Sequence, residues 1–155
     1  MNLQSSLQTE PVTHVDLSYY VEVEGGSKVR DVIAKMQDRH RKCALVMDHG
    51  KLLGIFTERD ILKKVVGKPG AMDDVVDNLM GADPVTIGAE TPVLEAIELM
   101  TERPYRYQPV VSKSGRVIGT LTHYALVKFV SDYFPEEIYN LPPDPHSVTA
   151  TRDGA

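Results

Sequence analysis

Two polar residues, Thr57 and Asp60, stand where the sequence predicts the first turn of a helix. They follow an apolar run that ends at Phe56, and apolar residues resume at 61–62 and 65–66. The free N–H groups at a helix N-terminus attract phosphates and other anions. Thr57 could add a hydroxyl donor, and the Asp60 carboxylate could accept hydrogen bonds from a sugar diol.

Helix capping is the alternative explanation of the same two residues. A Thr at a helix start with an acid three residues later resembles a capping box in which Asp replaces the usual Glu or Gln. On spacing alone, capping is the better explanation of Thr57 and Asp60, and the repeat in which they stand is what favours ligand binding. Ser27 and Thr91 are expected to cap two further helices, with Pro92 at the first position of the second helix.

The residue patterns of catalytic and metal sites are missing from the sequence. Glu58 and Asp60 are two positions apart, so on a helix they point to different faces. The five histidines show no spacing typical of metal ligands. Cys43, the only cysteine, excludes an intrachain disulfide and is expected to be buried and inert. We therefore expect no enzyme activity, no metal site and no required cofactor.

The pattern around Thr57 occurs twice in the chain. Apolar runs at 44–47 and 52–56 flank a turn at 48–50 and predict a β-hairpin. The glycines and the threonine of this hairpin map onto the second copy by a shift of about 65, whereas the preceding helix, 27–36, maps onto 91–100 by about 64. This difference predicts a one-residue insertion in the loop after Met100. The matched pairs are Gly50 and Gly115, Gly54 and Gly119, and Thr57 and Thr122.

The repeat predicts an α+β fold of two similar halves. Each half has the order strand, helix, strand, strand, helix, and each alone leaves a sheet face uncovered, so the halves should pack through their sheets about a pseudo-twofold axis. The predicted segments are a flexible N-terminus (1–14), a first repeat (15–68), a linker with the second repeat (69–134) and a mostly disordered C-terminal extension (135–155).

These motifs resemble the tandem cystathionine-β-synthase (CBS) domain pair, often called a Bateman module. The family pattern Gly-apolar-x-Thr/Ser-x-x-Asp matches Gly54 to Asp60 in the first repeat. It also matches from Gly119 in the second repeat, except that Ala125 stands in place of the Asp. The resemblance covers roughly residues 21–130. It implies two clefts between the halves, which in that family commonly hold adenosine-containing ligands.

The resemblance also implies roles for individual residues. The first cleft would be lined by Thr57, Asp60, Thr91, Tyr105, Arg106 and Pro109, with the Asp60 carboxylate on the ribose. The second, weaker cleft would be lined by Ser27, Arg41, Lys42, Thr122 and His123, since Ala125 cannot bind a ribose diol. We expect one tight adenosine site per chain. Without the resemblance, Arg106 and the basic run at 39–42 are better explained as solvated surface.

Composition excludes several classes of protein. The formal net charge of −5 argues against a nucleic-acid binder, and no run of 18 apolar residues suggests a membrane span. No signal peptide is visible at the N-terminus, which predicts a cytoplasmic location.

The predicted function is regulatory. The resemblance implies a module that binds AMP, ADP, ATP or S-adenosylmethionine and signals to a separate, unidentified protein partner. The alternative is a structural dimerisation or scaffold protein with a vestigial cleft. In both cases we expect a homodimer formed through apolar helix stripes, at Val29, Val32, Ile33 and Met36, and at Val93, Ala96, Ile97 and Met100.

Overall fold

A computed structural model of the chain describes residues 2–136, so most of the predicted C-terminal extension lies outside the described residues. None of the helices within them has the length and apolar character that a membrane crossing requires. The helices are α1 (Leu3–Thr9), α2 (Val29–Asp38), α3 (Glu58–Asp60, continued as a π-helical turn, Ile61–Val65), α4 (Val93–Glu102) and α5 (His123–Tyr133). The strands are β1 (Val21–Glu24), β2 (Cys43–Asp48), β3 (Lys51–Thr57), β4 (Gly81–Ala82), β5 (Ile87–Gly88), β6 (Tyr107–Val111) and β7 (Val117–Thr122).

The strands form two sheets, one for each half of the repeat. The first has the order β1-β2-β3-β4 and the second the order β5-β6-β7. In each sheet the first two strands are parallel, and the next pair forms an antiparallel hairpin. In the first hairpin His49 and Gly50 both have positive φ, at 46° and 84°, which suits the tight turns that join twisted strands. The predicted α+β repeat is therefore confirmed.

The extra residue of the second repeat lies in the hairpin turn, so the prediction of an insertion after Met100 is wrong. Cys43 pairs with Thr57 and Tyr107 pairs with Thr122, so β2 maps onto β6 by 64 residues and β3 onto β7 by 65. The loops that precede β2 and β6 are therefore equal in length. A turn tolerates an added residue because its backbone faces solvent, away from the core.

The N-terminal segment differs from the predicted flexible tail. Residues 3–9 form α1, and a 3₁₀ turn follows at Val12–His14. Leu7, Val12 and Val15 are buried in the core of the second repeat, beneath α4 and α5. The sequence does not indicate these contacts, because the three apolar residues are separated by polar ones and the residues they contact lie about 80 or more positions further along the chain. We call residues 3–18 the N-terminal arm.

The N-terminal arm does for the second repeat what residues 71–82 do for the first. Val12 N–H donates to the Thr91 carbonyl at 2.9 Å, and at the equivalent place Val76 N–H donates to the Ser27 carbonyl at 2.8 Å. Each sheet edge is thus covered by the segment that leads into the other repeat. The boundaries predicted at 15 and 69 therefore differ from the packing, in which the arm belongs with repeat two and residues 71–82 with repeat one.

Gly54 and Gly119 mark where these covering segments cross the sheets. A Cβ atom on Gly119 would lie 2.5 Å from the Leu17 Cβ, and one on Gly54 would lie 2.6 Å from the Gly81 carbonyl oxygen. Both distances are shorter than any relaxed contact. Glycine is therefore required at equivalent positions of β3 and β7 for the same reason, the close approach of another backbone.

The predicted caps at Ser27 and Thr91 are absent. Helix α2 begins after Lys28 and α4 after Pro92, and neither start has a side-chain capping bond. The carbonyls of Ser27 and Thr91 instead accept the backbone bonds from the covering segments. Pro92, predicted at the first helical position, is the residue before it.

Two apolar cores lie between the sheets and their helices, and a third apolar layer lies where the sheets meet. Ala44, Val46 and Phe56 face the helices of the first repeat. Because side chains alternate along a strand, Leu45 and Cys43 face the other way, and both are fully buried. These two side chains therefore form a buried layer on the opposite face of the first sheet.

Candidate ligand-binding cleft

The two hairpins deliver equivalent helix starts, at Thr57 and Thr122. The Asp60 carboxylate accepts from the Thr57 backbone N–H at 2.9 Å and the Thr57 hydroxyl at 3.2 Å, and its other oxygen pairs with Lys64 at 3.0 Å. In the second repeat, the Thr122 hydroxyl accepts from the Ala125 N–H at 3.0 Å. The capping role predicted from spacing is therefore present, and Asp60 is only 17% exposed.

A cleft of about 460 Å³ lies between the halves, where the ends of both hairpins meet. Two of its residue pairs occupy equivalent positions of the two repeats, Lys42 with Arg106 and Glu58 with His123. In each repeat the same backbone bond joins them, from Glu58 N–H to the Lys42 carbonyl and from His123 N–H to the Arg106 carbonyl. The cleft is therefore centred on the pseudo-twofold axis. It is lined by Tyr19, His40, Arg41, Lys42, Glu58, Arg106, Tyr107, Thr122, His123 and Tyr124.

The cleft is positively charged in a chain of negative net charge. Arg41, Lys42 and Arg106 face a single carboxylate, that of Glu58, among the described residues that line the cleft. Burial raises the pKa of Tyr107 to about 12, so this phenol remains neutral at physiological pH. Cations gathered from both halves, next to the hydroxyl of Thr122, can bind an anion with several oxygens, such as a phosphate chain.

The predicted site residues are distributed differently from the two sets expected from sequence. The cleft brings together Arg41, Lys42, Thr122 and His123 of the second set, and adds Arg106 of the first. Ser27 lies elsewhere, in a surface cavity beside α2.

The rest of the first set lies outside the walls of this cleft. Thr57 and Asp60 form the helix cap. Thr91 accepts the bond from the N-terminal arm through its carbonyl. Pro109 is buried in β6 opposite Thr120, and Tyr105 is exposed in the preceding loop.

Sequence reasoning missed the aromatic side chains of the cleft. Tyr19 lies in the connection from the N-terminal arm to β1, where no motif marked it. Tyr107 and Tyr124 are next to the predicted residues Arg106 and His123, and this adjacency was the available signal. Glu58, dismissed as half of a catalytic pair, is the equivalent of His123 and lines the cleft.

A protein-family model matches the sequence of both repeats. The CBS domain model matches residues 9–67 and again residues 75–132, which together make up most of the chain. The chain belongs to the CBS domain family. The first match begins within the N-terminal arm and so groups residues 9–18 with the first repeat, whereas in the fold the arm packs against the second. The suspected tandem pair of CBS domains is thereby confirmed.

Proteins similar to this CBS pair occur in plants and bacteria. The CBS domain-containing protein CBSCBSPB1 of Arabidopsis thaliana is 34% identical over 94 residues, which are 60% of this chain and 17% of that protein. The mitochondrial protein CBSX3 of the same plant is 31% identical over 119 residues, 73% of this chain and 57% of CBSX3. This chain thus spans less than two thirds of the length of either relative.

Solved structures agree with the fold. A CBS-domain containing protein from Agrobacterium tumefaciens superposes with a TM-score of 0.65 at 27% identity, covering 71% of this chain and 87% of that one. The cytosolic domain of the Mg²⁺ channel MgtE, solved in complex with ATP, has a TM-score of 0.65 at 22% identity. That superposition covers 81% of this chain and 52% of the MgtE domain.

Proposed function

We propose that this CBS pair is a regulatory module that binds the phosphates of an adenosine nucleotide in the cleft between its halves. The observation that carries the proposal is the convergence of Arg41, Lys42 and Arg106 from both repeats on one cleft. Charge-assisted hydrogen bonds from such groups are the strong ones in phosphate recognition. Family resemblance supports the adenosine part, and ATP is bound by the structurally similar domain of MgtE.

A ligand that bridges the two halves has a direct route to regulation. Binding would draw Lys42 and Arg106 towards one anion and restrain the two sheets relative to each other. The module would perform no chemistry itself, and its output would be a changed affinity for a separate protein. A cytoplasmic location fits this role and remains a prediction.

A thermal-shift screen tests the proposal. A ligand that binds only the folded state raises the melting temperature, and at equal concentration a tighter ligand raises it more. We expect ATP, ADP and AMP to raise it, with adenosine and S-adenosylmethionine giving smaller shifts because they bring no phosphate to the cations. A shift of equal size for adenosine and ATP would contradict the assignment of the cleft to phosphate.

Asp60→Ala separates the capping role of Asp60 from the ribose contact implied by the resemblance. The carboxylate already accepts two bonds from Thr57 and pairs with Lys64. We expect the free energy of unfolding to fall by about 0.5–2 kcal/mol, as for other lost helix caps. We expect the ATP affinity of the folded variant to stay within about threefold of the parent, because the Asp60 carboxylate is engaged in the cap and not by the ligand. A threefold change corresponds to less than about 1 kcal/mol.

The ribose contact is the competing proposal for Asp60, and it makes a different prediction. Loss of two charge-assisted bonds to a sugar would weaken ATP and adenosine alike, by about 30- to 150-fold. Asp77→Ala is a control for the removal of an acid elsewhere, since Asp77 accepts a hydrogen bond from the Gly26 N–H outside the cleft. Parallel loss of ATP and adenosine affinity in Asp60→Ala alone would establish the ribose contact.

We also propose a homodimer. Most residues of the predicted apolar stripes cannot form its interface, so another surface is needed. Val29, Val32, Met36, Val93 and Ala96 are buried inside the monomer. One apolar surface that remains accessible is a groove of about 410 Å³ between α4 and α5. Its residues are Ile97, Met100, Thr101, His123, Leu126, Val127, Val130 and Ser131. The exposed Leu62 of the first repeat stands at the position equivalent to Val127.

Val127→Glu tests this surface. Val127 is 53% exposed, so a charge there should leave the monomer folded and oppose burial against a second copy. We expect light scattering to give twice the 17.2 kDa chain mass for the parent and the single mass for the variant. Val85→Glu, at an exposed valine that does not line the groove, should remain dimeric. A monomeric parent at micromolar concentration would contradict the proposal.

The scaffold alternative is favoured by one observation, the engagement of Asp60 in a helix cap. In that case the dimer would form and none of the nucleotides would raise the melting temperature. The two measurements together therefore distinguish the regulatory function from the scaffold.

A further inference from the structure

Two tyrosines in the cleft have no part in the phosphate site. The rings of Tyr19 and Tyr124 meet edge to face, with centroids 5.3 Å apart and planes inclined at 79°. The Arg41 guanidinium lies 5.2 Å from the Tyr19 ring centroid. All three side chains line the same cleft, so an aromatic surface adjoins the cations.

The backbone on the Tyr19 side is fixed on both flanks of the ring. The Leu17 carbonyl accepts from Thr120 N–H at 3.0 Å, which ties this segment to β7. The Tyr19 carbonyl accepts from the Cys43 thiol at 3.6 Å. Burial raises the pKa of Cys43 to about 12, so the thiol keeps its proton and remains a donor.

The Tyr124 side is fixed by the start of α5. Tyr124 is the second residue of that helix, and the Thr122 hydroxyl caps the turn through the Ala125 N–H. Tyr124 is 63% exposed, so much of its surface is free to cover a ligand. Both rings lie on the side of the second repeat, since Tyr19 packs against its core, and each stands on a fixed backbone.

The chemistry of this part of the cleft suits a planar aromatic group on an anion. Ala125 offers no carboxylate for a sugar, and it is buried. Tyrosine rings bind other rings by offset or edge-to-face stacking. Stacking on an aromatic residue strengthens the binding of any of the bases, because every base has a π-face. The neighbouring Arg41, Lys42 and Arg106 disfavour a cationic ligand. A nucleotide has both features: its base can stack on the tyrosine rings, and its phosphates can pair with the cations.

We propose that Tyr124, backed by Tyr19, is a stacking platform for the base of the bound nucleotide and makes the cleft prefer nucleotides to inorganic polyphosphates. This inference rests on the proposed function and assigns a second, separate part of the same site. The phosphates contact the cations, and the base covers the Tyr124 ring. Arg41 stands between the two parts, in contact with the Tyr19 ring.

Calorimetric titration of ATP and of tripolyphosphate into the full chain tests the platform. We expect Tyr124→Leu to weaken ATP about tenfold, which corresponds to the stacking of one base. The affinity for tripolyphosphate should stay unchanged, because the cations remain. Tyr124→Phe keeps the ring and should bind ATP as the parent does. Tyr133→Leu is the matched control, since Tyr133 is similarly exposed on α5 but stacks on Phe129.

The outcomes separate this inference from the proposed function. If the parent binds ATP and Tyr124→Leu binds it equally well, the platform is overturned and the phosphate site stands. If Tyr124→Leu weakens ATP and tripolyphosphate by the same factor, the ring shapes the cleft without contacting a base, and the platform is again overturned. If the parent binds neither ligand, the proposed function falls, and the platform falls with it.

Discussion

We expect Val12→Asp to lower the free energy of unfolding by more than about 3 kcal/mol, because it places an unpaired charge in an apolar core. Val12 has no exposed surface, and its N–H donates to the Thr91 carbonyl at the start of the second repeat. Chemical denaturation followed by circular dichroism would measure the loss. At an ordinary stability of about 5–15 kcal/mol the variant would still fold, and the loss would appear as a clearly lower denaturation midpoint.

Thr13→Asp is the matched control for Val12→Asp. Thr13 is the next residue, it is exposed, and the substitution adds the same charge. A flexible N-terminus would tolerate both substitutions equally. Equal midpoints for the two variants would therefore contradict the assignment of the N-terminal arm to the core of the second repeat.

The second large effect is expected from the paired cations of the cleft. The double substitution Lys42→Gln with Arg106→Gln should weaken ATP by about 100-fold, at roughly 1.4 kcal/mol for each exposed charge. Adenosine, which lacks phosphate, should bind the variant as it binds the parent. Calorimetry with both ligands measures this difference directly.

The control for the paired cations is a second pair of arginines at equivalent positions of the two repeats. Arg39 and Arg103 follow α2 and α4 at equivalent positions, and both lie outside the cleft. Replacing both by glutamine changes the net charge equally and should leave ATP binding nearly unchanged. Equal loss of ATP affinity in the two double variants would indicate a general field effect, which would contradict a defined phosphate site.

Local pattern was sufficient to predict the hairpins, the helix starts that follow them and the repeat. The turn residues His49 and Gly50 and the glycines at 54 and 119 carry this information within a few positions of the strands they join. The N-terminal arm could not be predicted in this way. Val12 and Val15 have no periodic neighbours, and their importance depends on contacts with α4 and α5, far away in sequence.

The candidate site was predicted only in part. The family resemblance implied a binding role for Arg41, Lys42, Arg106, Thr122 and His123, and all five line the cleft. That these five residues line one cleft together depends on how the two sheets meet, which sequence spacing does not specify. The resemblance pointed to Asp60, whereas in the structure its carboxylate is engaged within its own helix turn.

Titration of ATP into the unmodified chain by calorimetry tests the central claim most directly. A cleft on the pseudo-twofold axis takes cations from both repeats, so it should bind one phosphate chain for each protein chain. We predict saturable binding with one ATP per chain, weaker binding of AMP, and much weaker binding of adenosine. Absence of measurable ATP binding, or equal affinities for ATP and adenosine, would contradict the claim that this cleft is a phosphate site.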